Sequence, residues 1–128
     1  MKNKVLIIQA NYYKDISTAL LKSAKNELKN FAKINIVSVP GVFEIPVVIS
    51  KNLKKYDGFV ALGCVIKGQT PHFDFISKST TDAIMNISVA SKKPVGNGII
   101  TCLNKKQAIA RDKKGREAAN AVKAILSL

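Results

Sequence analysis

Short apolar runs alternate along the chain with longer stretches whose apolar residues recur every three or four positions. Val5-Leu6-Ile7-Ile8-Gln9-Ala10 is nearly all apolar, the pattern of a strand buried on both faces. A polar and aromatic loop, Asn11 to Ile16, follows, and Ser17 stands where a helix cap would. Leu20, Leu21, Ala24, Leu28 and Phe31 then give a helix running to about Phe31 a single apolar stripe. Ile34 to Val39 reads as a second strand, ended by Pro40-Gly41. Pro46 opens a second helix to about Leu53, since proline is tolerated in a first turn. Phe59 to Cys64 is a third buried strand. Thr70 would cap the next helix and Pro71 would be its first residue. Phe73, Ile76, Ala83, Ile84, Ile87 and Ala90 would form its inner face, and Lys92-Lys93-Pro94 would end it. Val95 to Thr101 is a fourth strand, in which Gly96 and Gly98 either weaken pairing or mark a close approach. Two helices close the chain: Lys105 to Arg111, and Arg116 to Leu126 with Ala118, Val122, Ile125 and Leu126 inward.

Strands alternating with helices in this way predict one domain, residues 1–128, built as a three-layer α/β/α sandwich around a four-stranded parallel sheet. In such folds the ligand sits beyond the carboxyl ends of the strands. That rule gathers four segments: Asn11 to Ile16, Pro40 to Glu44, Val65 to His72, and the residues after Thr101.

Composition narrows the class. The chain has 128 residues, 47% hydrophobic and 23% charged, too apolar for a disordered protein. No apolar run approaches the roughly 20 residues of a membrane span. Val5 to Ala10 is too short for a secretory signal. Cys64 and Cys102 make no disulfide framework and read as small buried hydrophobes, so a cytoplasmic protein is expected. The net charge of +13 would attract nucleic acid, an anionic membrane or anionic small substrates. The lysines are scattered, however, and no aromatic residues interleave with them as stacking platforms. Nucleic acid is therefore not the expected partner.

The loops hold the candidate chemistry. His72 is the only histidine. In the first turn of a helix the dipole disfavours an imidazolium, and a neutral ring suits a proton acceptor or relay. A surface histidine near a cap is the other reading. Lys67, Gly68, Gln69 and Thr70 precede the same helix and would offer an anion their amides and one charge; a plain strand-to-helix turn is the simpler reading of the spacing alone. Glu44, beside Phe43, would accept hydrogen bonds from hydroxyls or would merely favour a helix start. Tyr12 and Tyr13 follow the first strand, where an aromatic would stack on a planar heterocycle or pack into the core against the first helix. Arg111, Lys113, Lys114 and Arg116 form a basic cluster, either a phosphate clamp or a solvated charge run. One histidine and two distant cysteines give no metal-ligand set, and no nucleophile elbow is present.

Taken together, these segments resemble the lumazine synthase family. The resemblance is carried by Val39-Pro40-Gly41-Val42-Phe43-Glu44-Ile45-Pro46 and, more specifically, by Ala61-Leu62-Gly63-Cys64-Val65-Ile66-Lys67-Gly68-Gln69-Thr70-Pro71-His72-Phe73-Asp74-Phe75. Pro94 to Thr101, Gln107 to Arg111 and Lys114 to Ala119 continue it in order. It implies a flavodoxin-like fold and a transferase without metal or redox cofactor. Such an enzyme condenses 5-amino-6-(D-ribitylamino)uracil with 3,4-dihydroxy-2-butanone 4-phosphate to 6,7-dimethyl-8-ribityllumazine, releasing phosphate and water. His72 would move protons and Tyr12 would stack on the pyrimidine. Val42, Phe43 and Glu44, with Val65 and Ile66, would line the ribityl-pyrimidine site. Lys67, Gln69 and Thr70 would hold the phosphate with Arg111, near Lys114. The family assembles as pentamers with sites between neighbours, and some members build sixty-subunit shells. Arg111 and Lys114 would therefore face the His72 of a neighbouring copy.

The chain departs from the family in four places. Ala10-Asn11-Tyr12-Tyr13 replaces a common Gly-Arg-Phe-Asn, and Asn97 stands where Phe is frequent. Lys67 stands where Arg is frequent, which trades a fork for a point charge. The Arg111 to Gly115 turn is short. Competing readings are a riboflavin synthase of archaeal type and a non-catalytic homologue that binds ribityl-pyrimidine or flavin, or forms a shell.

Overall fold

The structure, a computed structural model, describes residues 2–68 and 71–128. Its strands are β1 (Asn3–Ala10), β2 (Ala32–Val39), β3 (Gly58–Ile66) and β4 (Val95–Cys102). Its helices are α1 (Lys14–Leu28), α2 (Ile45–Lys51), α3 (His72–Ser91), α4 (Lys105–Ile109) and α5 (Lys114–Leu126), with a 3-10 turn at Val42–Glu44. All pairings are parallel, in the order β2-β1-β3-β4. The three-layer sandwich and four-stranded parallel sheet expected from the apolar pattern are both present.

The alternation of side chains along β1 assigns the layers. Val5 and Ile7 pack with Leu20, Ala24 and Leu28 of α1 and Ala118 and Val122 of α5. Leu6 and Ile8 pack on the opposite face with Ile45 and Ile49 of α2 and Ile84 of α3. Val5, Ile7 and Ile8 are fully buried; at about 25 cal/mol per Å² of apolar surface, such central strands dominate the stability of the fold.

Several boundaries move for physical reasons. Ser17 does not cap α1: it is buried inside the helix, and its hydroxyl donates to the Ala10 carbonyl. That bond ties α1 to the end of β1 and lets the helix start at Lys14, shortening the loop. Pro71 lies one residue before α3 instead of opening it, and Thr70, the expected cap, lies outside the described residues. The inner face of α3 is narrower than its spacing suggests. Thr80 and Ile84 are buried, Phe73, Ile76, Ala83 and Ile87 are half-buried, and Ala90 is exposed. Ile125 is likewise half-exposed instead of inward.

Of the two glycine readings in β4, close approach holds. A Cβ on Gly96 would collide with the carbonyl oxygen of Ala118 in α5. Backbone cannot swing away as a side chain can, so Gly96→Ala is expected to cost about 2 kcal/mol, in the range of overpacked cores. Thermal unfolding should show a Tm about 8 °C lower; an unchanged Tm would contradict the packing.

Candidate active site

The strand order reverses between β1 and β3: the chain leaves β1 toward β2 on one side and returns to β3 on the other. Loops diverge at such a point and leave a crevice at the carboxyl ends. A cleft of about 300 Å³ lies there. Tyr12 and Tyr13 after β1 form one wall, and Gly41, Val42 and Phe43 after β2 another. Cys64, Val65 and Ile66 at the end of β3, with His72 and Ile76 of α3, complete it. The lining is mostly apolar, with aromatic rings at the mouth: Tyr12 is 75% and Phe43 62% exposed. Such a cleft suits a planar ring system, and the imidazole at the start of α3 is part of its lining.

Other expected residues fall differently. Glu44 ends the 3-10 turn, half-buried, with its carboxylate against Gly41 of the cleft wall. Lys67 is exposed just beyond β3, and its amide donates to the Cys102 carbonyl at 2.9 Å. Gln69 and Thr70 lie outside the described residues. Asn97, Arg111 and Lys114 line a second depression of about 650 Å³ beside β4, together with Thr101, Lys113 and Glu117. Among the described residues, none lines both concavities. The single chain therefore holds the imidazole and the guanidinium apart.

Arg111 is anchored. Its Nη1 donates to the Thr101 carbonyl at 3.1 Å and contacts the Cys102 sulfur at 3.8 Å. Lys114 pairs with Glu117 at 3.3 Å, an exposed pair of little energetic weight. The depression thus offers an anion one fixed fork and two mobile ammonium groups. Four further lysines, Lys4, Lys33, Lys54 and Lys55, surround a basin at the amino ends of β1 and β2, so part of the +13 charge faces away from the cleft.

Tyr13 and Gly41 lie in loops already gathered at the strand ends, whereas Cys64 and Ile76 line the cleft but read in the sequence only as core positions. Ile76 was findable: it lies one turn beyond His72, on the same helix face. Cys64 reads as plain core because its neighbours are all apolar. Burial, with the Cys102 thiol close by, pushes the Cys64 thiol from 9.0 up to about 12. The native protein at pH 8 should hold about 10³-fold less Cys64 thiolate than the unfolded chain. Iodoacetamide should therefore label Cys64 in urea and leave it nearly untouched in buffer, as peptide mapping would show. Because the folded state keeps this proton longer, the stabilisation it gives is complete below about pH 9 and is lost as pH rises toward about 12. Rapid native labelling at pH 8 would contradict this placement.

Among the described residues, no three His, Cys, Asp or Glu side chains gather into a metal-ligand cluster, and no helix is long and apolar enough to cross a membrane.

A parallel α/β sandwich with a mainly apolar cleft at its strand reversal and one histidine at a helix start belongs to the flavodoxin-like class. Residues 2–128 match the family model described as 6,7-dimethyl-8-ribityllumazine synthase. Among curated relatives, 6,7-dimethyl-8-ribityllumazine synthase 1 of Rhodopseudomonas palustris is 43% identical, over 98% of this chain and 85% of its own. The 6,7-dimethyl-8-ribityllumazine synthase of Agrobacterium fabrum is 42% identical, over 99% and 95%. That of Bartonella henselae is 44% identical, over 99% and 88%. The chain belongs to the 6,7-dimethyl-8-ribityllumazine synthase family.

Proposed function

We propose that this chain, acting as one domain over residues 1–128, condenses 5-amino-6-(D-ribitylamino)uracil with 3,4-dihydroxy-2-butanone 4-phosphate in the cytoplasm. The product is 6,7-dimethyl-8-ribityllumazine, with release of phosphate and water. The observation that carries this is the family match across residues 2–128, together with a cleft that gathers Tyr12, Val42, Phe43, Val65, Ile66 and His72.

Each residue has a role in this reading. Tyr12 and Phe43 hold the pyrimidine between aromatic surfaces. Val42, Val65 and Ile66 exclude water from the ring, and Glu44 accepts hydrogen bonds from ribityl hydroxyls. Arg111 grips the phosphate as a fork, and Lys114, Lys67, Gln69 and Thr70 add charge and donors. Asn97 sits on the rim of the same depression. The substrate amine attacks the ketone carbonyl and an imine forms with loss of water. Phosphate leaves as the adjacent carbon loses its proton, the resulting enol becomes a ketone, and the ribitylamino nitrogen closes the ring on that carbonyl with loss of a second water. His72 carries protons between these steps. Holding both reactants in one place supplies much of the remaining acceleration.

Copies of the chain associate, as a pentamer, with a larger shell built from pentamers as the alternative assembly. Two observations support this. Phe75, Met85 and Val89 of α3 and Val47 of α2 are exposed apolar side chains on the layer beside the cleft, more than isolated surface positions need. The imidazole and the guanidinium also lie in separate concavities, so a neighbour's depression must meet this chain's cleft to complete a site.

The test is product analysis with both substrates against buffer alone, because these substrates can condense unaided. Lumazine formation well above buffer, with one phosphate released per product, is expected. A rate equal to buffer would overturn the catalytic reading.

A further inference from the structure

The turn after β1 is fixed at three points. The Asn11 amide donates to the Val39 carbonyl at 3.1 Å, and the Ser17 amide to the Tyr13 carbonyl at 2.9 Å. The Ser17 hydroxyl closes the set on the Ala10 carbonyl. The backbone carrying Tyr12 is therefore held, but its side chain is not, since the ring is 75% exposed. An exposed tyrosine samples several rotamers, and a ring free to turn loses entropy when a ligand stacks on it.

Tyr13 supplies the missing constraint. Its ring packs against the core layer beneath α1 and meets the Tyr12 ring edge to face, with centroids 4.9 Å apart and planes at 79°. That geometry is the favoured one for an aromatic pair. Burial holds the Tyr13 phenol above its ordinary 10.0, and Tyr12 and Cys64 add to the shift, so the ring stays neutral at working pH.

We propose that Tyr13 is a positioning residue: it holds the Tyr12 ring in the orientation that receives the pyrimidine, and so sets affinity for that substrate. This rests on the stacking role given to Tyr12 above. Tyr13 lines the same wall of the cleft, but its part in binding is to hold the Tyr12 ring, for which its hydroxyl is dispensable.

The test is a double-mutant cycle read as KM for each substrate. Tyr12→Leu should raise KM for the ribitylaminouracil about 10-fold, and Tyr13→Leu about 5-fold, as loss of one aromatic pair implies. Combining them should be no worse than Tyr12→Leu alone, since both remove one platform. Tyr13→Phe should return KM to within about 2-fold of the parent, because the edge-to-face pair survives. KM for the butanone phosphate and kcat at saturation should hold steady in the Tyr13 variants. If Tyr13→Leu fails to fold, Tyr13→Met fills the same space without a ring. Full additivity of the two losses, or failure of Phe to rescue, would overturn the positioning role. An unchanged KM in Tyr12→Leu would remove the stacking reading itself.

Discussion

Replacing His72 with alanine should lower kcat about 100-fold, the lower end of what a positioned proton-transfer group contributes. The reaction needs several proton movements, at the carbonyl, at the departing phosphate and at ring closure. His72 lines the cleft at the start of α3. It is the only histidine in the chain, so no second imidazole can take its place. The KM for both substrates should change little, because the proposed function assigns the binding of pyrimidine and phosphate to other residues. His72→Asn, which keeps polarity but exchanges no proton, should be as slow as alanine. A kcat within a factor of about 2 of the parent would remove His72 from the proton path.

Arg111→Ala should raise KM for the phosphate substrate about 100-fold, near 3 kcal/mol, the upper range for a hydrogen-bonded charge. The reason is preorganisation. Its Nη1 bond to the Thr101 carbonyl sets the guanidinium before substrate arrives, so little side-chain entropy remains to be lost on binding. Arg111→Lys should recover only part of this, since an ammonium cannot form the paired bonds of a fork. KM for the ribitylaminouracil should hold steady. If Arg111→Ala instead raised that KM and left the phosphate substrate unaffected, the two concavities would have exchanged roles.

The buried strands were legible because a strand covered on both faces can be written only in apolar residues. Val5 to Ala10 and Phe59 to Cys64 left no other reading, and the layer order followed from them. α3 was harder. Phe73, Phe75, Ile76, Met85, Ile87 and Val89 place apolar side chains around much of its circumference, so periodicity alone could not say which side faces the sheet. The packing buries Ile84 and leaves Phe75, Met85 and Val89 outside. That excess supports the proposed association of copies. The start of α1 was misplaced because Ser17 looks like a cap, whereas its hydroxyl bonds back to the Ala10 carbonyl at the end of β1, a partner outside the reach of capping rules. The 3-10 turn at Val42–Glu44 was hidden for a similar reason: Pro46 announces the helix behind it but says nothing of the turn before.

The cleft was half legible. Position at the carboxyl end of a strand sufficed to find Tyr12, Phe43, Val65 and His72, because topology fixes where those ends lie. Tyr13 was legible as a ring in the first loop, but its edge-to-face contact with Tyr12 was not, and Cys64 escaped because its apolar neighbours make it read as core. The division of the site between two concavities follows from the place of β4 at the sheet edge, two strands from β1. Arg111 and Lys114 follow that edge strand and open beside it.

A site completed by a neighbouring copy is the central claim, and co-expression tests it most directly. His72→Ala and Arg111→Ala chains, carrying different tags, are assembled together and purified through both tags, and lumazine formation is measured. In a random mixture about a quarter of the contacts between copies join an intact His72 to an intact Arg111. With the butanone phosphate held well below the KM of the Arg111→Ala variant, each variant alone is slow and the mixed assembly should recover about a quarter of the parent rate. A mixed assembly no faster than its two components would place the whole site within one chain.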